Sequence, residues 1–163
     1  MSIITQKPDN NFFSIAGVQD VVHKGRTFEP FIASDYDDIL KISNVQNYRI
    51  DNCIITGRNE NREDGIDINR TCQSINIIGC KVCSGKRYAV TIKGGCTDIY
   101  LTDMLITGKR GKEGVDIDIG NYSDSNMIKT TKVIISHVRR ADGEPVRIRV
   151  GLADKPILLN TNA

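Results

Sequence analysis

Short segments in which apolar and polar residues alternate recur along this chain about every 25 residues. In the first family of segments, two apolar residues flank one polar residue, and its members span residues 40–42, 66–68, 90–92, 115–117 and 146–148. Alternation with a period of two is typical of a β-strand that buries one face. The pattern therefore predicts one such strand in every repeat.

A second family of segments lies between members of the first, at residues 48–53, 75–80, 99–104 and 133–138. Each member has two alternating apolar positions, then two residues before a Cys, Met or Val that returns to the interior. A doubled residue of this kind marks a bend or bulge that resets which side faces inward. Gly, Asn, Asp and Ser collect between the segments, as expected for turns, and no stretch shows a helical stripe. One repeat is therefore predicted to be strand, corner, strand, turn.

Stacking of these repeats predicts an all-β fold, a single-stranded right-handed parallel β-helix of about five short coils. Residues 36–163 are assigned to the β-helix. Residues 1–35 do not fit the repeat and are predicted to cap its N-terminal end, because an open solenoid end exposes unpaired strands. Residues 156–159 give little material for a second cap, which favours an oligomer or another partner at the C-terminal end.

Composition and charge add little to the predicted fold and exclude few partners. With 163 residues and a formal net charge of +2, the chain is predicted to be one domain whose overall charge selects no partner. The first seven residues lack the features of a secretory signal, and no 18-residue apolar run occurs. We therefore expect cytoplasmic synthesis and no membrane span, with later use in a virion or outside the cell left open.

The five cysteines lack the spacing of a zinc site, and no bound metal is expected. They are expected to be reduced and mostly buried. Cys53 and Cys80 occupy equivalent positions of two repeats, and so do Cys72 and Cys96. The sequence thus predicts two internal cysteine ladders.

The polar residues of the first segment family are predicted to form outward ladders along the axis. One ladder reads Lys41, Asp67, Thr91, Asp116 and Arg147, and the next reads Ser43, Asn69, Lys93, Asp118 and Arg149. In this register Asp67 and Asp116 lie two coils apart, roughly 9 to 10 Å, near the upper end of the carboxylate separation in inverting glycosidases. A solvated face of alternating charges is the simpler interpretation and is favoured. Calcium between Asp116 and Asp118 requires further oxygen ligands, so no cofactor is expected.

Basic residues recur in the turns after the second segment family and predict a basic stripe along the axis. Its members are Arg58, Lys86, Arg87, Lys109, Arg110 and, slightly out of phase, residues 139–140. Stacked cations repel each other, so the stripe requires either neighbouring acids such as Glu63, Asp64, Glu113 and Asp142 or an external polyanion. Both interpretations stay open.

Other partners and chemistries have less support in the sequence. Nucleic acid is disfavoured because only Tyr88 offers a ring for base stacking in the basic stripe. His23 and His137 have no nucleophile and acid arranged around them and are interpreted as structural. No nucleotide-binding motif occurs.

Residues 62–68 and 74–82 resemble the repeat of pectin-lyase-like right-handed β-helices, and most of all that of the polygalacturonases. In this resemblance Asp64 matches the first aspartate of the family's active-site stretch, while Arg147 and Arg149 match its Arg-Ile-Lys substrate clamp. The sequence departs from the family where Lys86 and Arg87 stand in place of the paired catalytic aspartates. Residues 112–114 likewise replace a Gly-His-Gly. The resemblance therefore implies a related fold without polygalacturonase hydrolysis.

Basic residues at that turn are instead similar to those of polysaccharide lyases, in which a Lys or Arg removes the proton next to a uronate carboxyl group. Phage tail spikes share the β-helix, assemble from reduced cytosolic chains and often form trimers. The leading hypothesis is binding of an acidic polysaccharide along the basic stripe and the outward ladders, by Arg58, Lys93, Lys109, Arg110, Asp118, Arg147 and Arg149.

If the chain cleaves its glycan as a lyase or glycosidase, the catalytic candidates are Lys86 and Arg87, as base or enolate stabiliser, with Asp67 and Asp116 beside them. The alternative hypothesis is a structural or assembly protein of the virion or tail-spike kind, without enzymatic activity. In that case the charged ladders hold protomers together, in a trimer for example.

Overall fold

A computed structural model of the protein describes residues 4–6, 13–29, 38–57, 64–84, 86–111, 113–120 and 128–160. Three sheets run along one axis. The first consists, in spatial order, of β1 (Ile4–Gln6), β2 (Phe13–Ala16), β5 (Leu40–Ser43), β8 (Asp64–Asn69), β11 (Tyr88–Ile92), β14 (Ile117–Ile119) and β17 (Ile148–Val150). The second consists of β3 (Gln19–Lys24), β6 (Gln46–Asp51), β9 (Gln73–Ile78), β12 (Thr97–Thr102), β15 (Thr131–Ser136) and β18 (Ile157–Leu159). The third consists of β4 (Thr27–Phe28), β7 (Ile54–Ile55), β10 (Lys81–Cys83), β13 (Leu105–Thr107) and β16 (Arg139–Arg140).

Each coil contributes one strand to every sheet, and successive coils pair in parallel. Complete coils start at β2, β5, β8, β11 and β14, and a sixth, partial coil holds β17 and β18. The predicted all-β parallel solenoid of about five coils is therefore confirmed, and no helix occurs in the described parts of the chain. The short third strand was missed, because two or three residues are too few to show a periodic pattern.

The interior is a stack of apolar ladders. Inward residues such as Ile66, Val90 and Ile117 pair directly across neighbouring strands of the first sheet, and all three are fully buried. All five cysteines have free thiols; Cys53, Cys72, Cys80 and Cys96 are buried, and Cys83 is half-buried. The predicted internal position of the four ladder cysteines is confirmed.

The corner between the second and third sheets needs a left-handed residue in every coil. Asn52, Gly79, Asp103 and His137 occupy this corner with φ between 51° and 65°. Gly is favoured in this region because it has no Cβ to approach the following carbonyl oxygen, and Asn and Asp are tolerated because their short polar side chains hydrogen-bond locally. At Gly79 the constraint is steric as well, since a Cβ there would lie 2.2 Å from Oδ1 of Asn52.

The register of the first sheet differs from the prediction after β11. Ile117 and Ile119 pair with Val90 and Ile92, and Ile148 pairs with Ile117. The strands therefore sit two residues further along than predicted, and the outward ladder reads Lys41, Asp67, Thr91, Asp118 and Arg149. The predicted alignment of Asp116 and Arg147 with Asp67 is wrong, although a slip of two residues keeps the residues within β14 and β17 on their predicted faces.

The two ends of the solenoid differ. Residues 13–28, which lie within the predicted cap, form a first coil whose strands pair in parallel with β5, β6 and β7. β1 then pairs antiparallel with β2 at the outer edge of the first sheet. At the opposite end Ile157, Leu158 and Leu159 are 55%, 46% and 49% exposed. A capping role for residues 1–35 as a whole stays a prediction, because residues 7–12 and 30–37 lie outside the described structure.

Within the described residues, no helix has the length and apolar character that crossing a membrane requires.

Candidate binding face

Charged side chains concentrate on the outward side of the first sheet. We call this surface the charged face, and it comprises Asp38, Lys41, Asp64, Asp67, Arg87, Tyr88, Lys93, Glu113, Asp118 and Arg149. The sheet presents these residues in ladders because strands β5, β8, β11, β14 and β17 stack in register.

Asp67 lies at the centre of the charged face and is fully buried. Its Oδ2 accepts hydrogen bonds from Asn69 Nδ2 at 2.9 Å and Lys93 Nζ at 3.2 Å, and Lys41 Nζ lies 3.6 Å away. Its Oδ1 is buried without a hydrogen-bond partner among the described residues. Two lysines from the neighbouring coils thus cover one carboxylate from both sides.

Two further carboxylates lie beside Asp67 beneath the same cations. Asp38 Oδ1 accepts the backbone N–H of Asp64 at 3.2 Å, and Asp64 Oδ2 accepts the hydroxyl of Thr91 at 2.8 Å. Burial raises the pKa of Asp64 to about 7 and that of Asp38 to about 6, and repulsion from the neighbouring carboxylates adds to both shifts. Near neutral pH these two groups are therefore partly protonated.

Tyr88 connects the next pair of charges. Its hydroxyl donates to Glu113 and accepts from Arg149, and the guanidinium groups of Arg87 and Arg149 lie 5.0 and 5.3 Å from its ring centroid. Arg149 Nε also donates to Asp118 Oδ1 at 2.8 Å. Burial is the main cause of the raised pKa of the Tyr88 hydroxyl, which therefore remains protonated. The ring holds two cations in place by cation–π contacts.

Asp116 does not belong to the charged face. It is fully buried and forms an ion pair with Arg140, which is 3% exposed and continues the inward ladder of Ile55, Val82 and Ile106 in the third sheet. Arg110 Nε and the backbone N–H of Arg147 donate to its other oxygen at 3.2 and 2.9 Å. The carboxylate therefore neutralises an arginine inside the last complete coil. It is not the outward partner of Asp67 that the sequence predicted.

The other predicted site residues differ in whether the structure pairs them with an acid. Arg87 lies 4.0 Å from Asp64, and Arg110 is engaged by Asp116, so these two stripe residues are compensated internally. Lys86, Lys109 and Arg147 have no ion-pair partner among the residues that the structure describes. Arg58 lies outside those residues.

No calcium site takes shape at Asp116 and Asp118, since arginines hold both side chains. More generally, the described part of the chain contains no group of three or more His, Cys, Asp or Glu side chains placed to hold a metal.

Sequence reasoning missed the roles of Tyr88 and Arg140. Tyr88 pairs with Asp64 across neighbouring strands, and this register could have been read from the 24-residue spacing of their segments. Arg140 gave no comparable signal, because two adjacent arginines are more typical of an exposed turn than of an inward position.

The acids and the cations of the charged face differ in depth. The side chains of Asp38, Asp64, Asp67 and Asp118 are between 0% and 9% exposed, whereas those of Lys41, Arg87, Lys93 and Arg149 are between 25% and 37% exposed. Glu113 is the exception among the acids, since its side chain is 37% exposed and pairs with Arg149. A molecule that approaches this side of the solenoid therefore meets these four cations and one carboxylate.

No protein-family model, curated protein or solved structure matches this chain. The fold and the geometry of the charged face are consequently the observations from which a function is argued.

Proposed function

We propose that the charged face binds an acidic polysaccharide. The observation that carries the proposal is the layering of charge: four aspartates form the buried layer, half-buried cations cover them, and Glu113 is the one exposed acid of the face. Partial protonation of Asp38 and Asp64 near neutral pH further reduces the negative charge of the buried layer. Together these features favour an anionic ligand, even though the net charge of the chain is only +2.

The spacing of the cations favours a polymer over a compact anion. Lys41, Lys93 and Arg149 come from the second, fourth and sixth coils, so each is separated from the next by two coils. The ammonium groups of Lys41 and Lys93 converge on Asp67 Oδ2, at 3.6 and 3.2 Å, and Arg149 comes from the strand four coils beyond that of Lys41. At about 4.8 Å per coil, the strands of Lys41 and Arg149 lie about 19 Å apart along the axis. An extended polyanion that lies parallel to the axis can therefore contact both the lysine pair and Arg149.

The unpaired cations extend the same surface. Lys86 and Lys109 lie in the turns that lead from the third sheet back to the first, next to Arg87 and Arg110. The resemblance of residues 62–68 and 74–82 to pectin-lyase-like proteins makes a uronate polymer the first ligand to test. Lys86 is also the better candidate base for lyase cleavage, because Arg87 contacts Asp64 and the ring of Tyr88.

Binding to polygalacturonate, with dextran as the neutral polymer, tests the proposal. We expect Lys86→Ala/Lys109→Ala to weaken polygalacturonate binding roughly three- to tenfold at low salt, since partly exposed ion pairs contribute up to about 1 kcal/mol each. The control is Lys81→Ala/Lys132→Ala, which removes the same charge from the other two sheets and should leave the affinity for polygalacturonate unchanged.

Equal binding of dextran and polygalacturonate, or an equal loss of affinity in both double variants, contradicts the proposal. Absorbance of an unsaturated uronate product, recorded in the same samples, separates cleavage from binding.

A structural or assembly role is the second candidate function, and the exposed apolar residues of the last coil favour it. Val150, Ile157, Leu158 and Leu159 together expose a strand edge and a core layer at one end of the solenoid. Sedimentation separates the two candidates. A stable trimer without affinity for polygalacturonate supports the assembly role, and a monomer that binds the polymer supports the first.

A further inference from the structure

A concave site lies at the corner between the second and third sheets, away from the charged face. Its volume is about 410 Å³, within the range of small-molecule pockets. The last three coils form it at equivalent positions, where one sheet passes into the next. The described residues that line it are Asp103, Met104, Leu105, His137, Arg139 and Asn160.

His137 forms one wall of this corner pocket. Its φ of 54° is the left-handed conformation that the corner has in successive coils, where Asn52, Gly79, Asp103 and Asn160 take the equivalent position. The regular corner therefore brings the side chains of Asp103, His137 and Asn160 into one row along the axis.

The preceding serine and side chains from the two neighbouring coils hold the His137 ring. Nδ1 lies 2.8 Å from Ser136 Oγ and 3.7 Å from Asp103 Oδ1, and Nε2 lies 3.2 Å from Asn160 Nδ2. The side chain nevertheless remains 54% exposed. The pocket therefore presents a fixed imidazole ring, with an amide on one side of it and a carboxylate on the other.

Arg139 supplies the cation of the pocket. It is exposed, and its guanidinium group has no hydrogen-bond or ion-pair partner within the described residues, in contrast to that of its buried neighbour Arg140. A free guanidinium group binds carboxylates through two parallel hydrogen bonds. Leu105, which precedes Arg139 in the same outward ladder, adds an apolar surface beside it.

We propose that this corner pocket binds a single carboxylated sugar ring of the uronate class. The carboxylate lies on Arg139, the ring hydroxyls donate to Asp103 and exchange hydrogen bonds with Asn160, and the apolar face of the ring packs on Leu105. Opposite charges that face one cavity also suit an α-amino acid, and tighter binding of such a ligand would overturn the proposal. The proposal is independent of polymer binding at the charged face, because the two sites share no residue.

Titration of the isotope-labelled full-length chain with methyl galacturonide, followed by NMR, tests the proposal. We expect saturable shifts of the His137 ring and Arg139 side-chain resonances, and binding of methyl galactoside that is at least about tenfold weaker. Arg139→Ala should weaken methyl galacturonide binding by a similar factor. This variant should remain folded, because the Arg139 side chain has no partner among the described residues and alanine keeps the backbone hydrogen bonds of the strand.

Lys81→Ala is the matched control, since Lys81 holds the same outward position two coils before Arg139. It should leave the affinity for methyl galacturonide unchanged. Four results overturn the proposal: no saturable shift, equal affinity for methyl galactoside, unchanged affinity in Arg139→Ala, or tighter binding of leucine as a zwitterion. Loss of polygalacturonate binding in Lys86→Ala/Lys109→Ala concerns the charged face alone, so the two proposals fail separately.

Discussion

Asp64 is a buried carboxylate whose nearest cation, Arg87, lies at the edge of ion-pair distance. The N–H of Tyr88 and the hydroxyl of Thr91 donate to its two oxygens at 3.3 and 2.8 Å, while Arg87 Nε lies at 4.0 Å. These contacts do not offset the cost of burial, because the pKa of Asp64 is raised to about 7. At this scale the protein tolerates a carboxyl group that is easier to protonate when folded than when unfolded.

A pH-dependent stability follows from this shift. Between pH 4 and about 7 the folded chain binds a proton at Asp64 that the unfolded chain has released, so stability falls as the pH rises through this window. The shift from 3.8 to about 7 corresponds to roughly 4 kcal/mol as an upper limit. Asp38 contributes with the same sign.

Asp64→Asn resembles the protonated side chain and isolates this contribution. We expect the variant to unfold at a higher temperature than the wild type at pH 8 and at about the same temperature at pH 4.5, as measured by circular dichroism. Comparing the two proteins at each pH cancels the opposite contribution of His23, whose pKa is lowered by burial. A difference in Tm that does not change with pH contradicts this account.

The strands show how far alternation alone determines the structure of an element. Residues 115–119 read Val-Asp-Ile-Asp-Ile, and residues 146–150 read Val-Arg-Ile-Arg-Val, so each segment offers two registers with the same face inward. The choice between them depends on the length of the preceding turn, which an alternating pattern does not encode. For this reason the strand positions were predicted correctly up to β11 and two residues too early at β14 and β17.

For the candidate site, alternation likewise predicted which side chains face outward but not which of them contact each other. Asp67, Lys93, Asp118 and Arg149 lie on the outward face as their alternation predicted. Asp116 was misplaced because its partner Arg140 lies in β16, and a two-residue strand is too short for its inward face to be recognised. Whether the basic residues were paired also depended on contacts between coils, which spacing along the sequence does not specify.

The corners require residues with a left-handed backbone, and two glycines distinguish the cost of that backbone conformation from the cost of a steric clash. Gly17 and Gly79 both have left-handed backbones, with φ of 63° and 65°. A Cβ at Gly17 would meet no atom within 4 Å, whereas one at Gly79 would collide with Asn52.

We expect Gly17→Ala to lower the free energy of unfolding by about 1 to 2 kcal/mol, from the backbone alone. Gly79→Ala should cost at least about 1 kcal/mol more, because Asn52 has to move. Urea denaturation measures both, and equal costs argue against a steric role for the corner ladder.

At the scale of the whole molecule, each coil contacts mainly its two neighbours, so stability should vary along the axis. Ile77, Leu101, Ile135 and Leu158 form one inward ladder. Ile77 is fully buried between two coils, but Leu158 is 46% exposed in the last coil. The ladder therefore provides matched sites that differ mainly in their distance from the end.

Substitutions in this ladder test the gradient. Ile77→Ala should cost about 2 to 5 kcal/mol, and Leu158→Ala less than about 1 kcal/mol. In hydrogen exchange, Leu158→Ala should accelerate the amides of β18 and its neighbour β15 and leave those of β9 unchanged. Equal losses of stability at the two positions contradict the gradient, and would indicate that the exposed end is covered in solution.

The reversed direction of β1 restricts how a protein of this kind can lengthen. Duplication of a segment of about 25 residues adds a coil only where both neighbouring strands run in the direction of the new one. β1 runs against β2, so the N-terminal edge of the first sheet offers no parallel template for such an insertion. Growth by duplication is therefore confined to the interior and to the C-terminal end, and only duplication of a coil that carries Lys41, Lys93 or Arg149 would add another cation of this kind to the charged face.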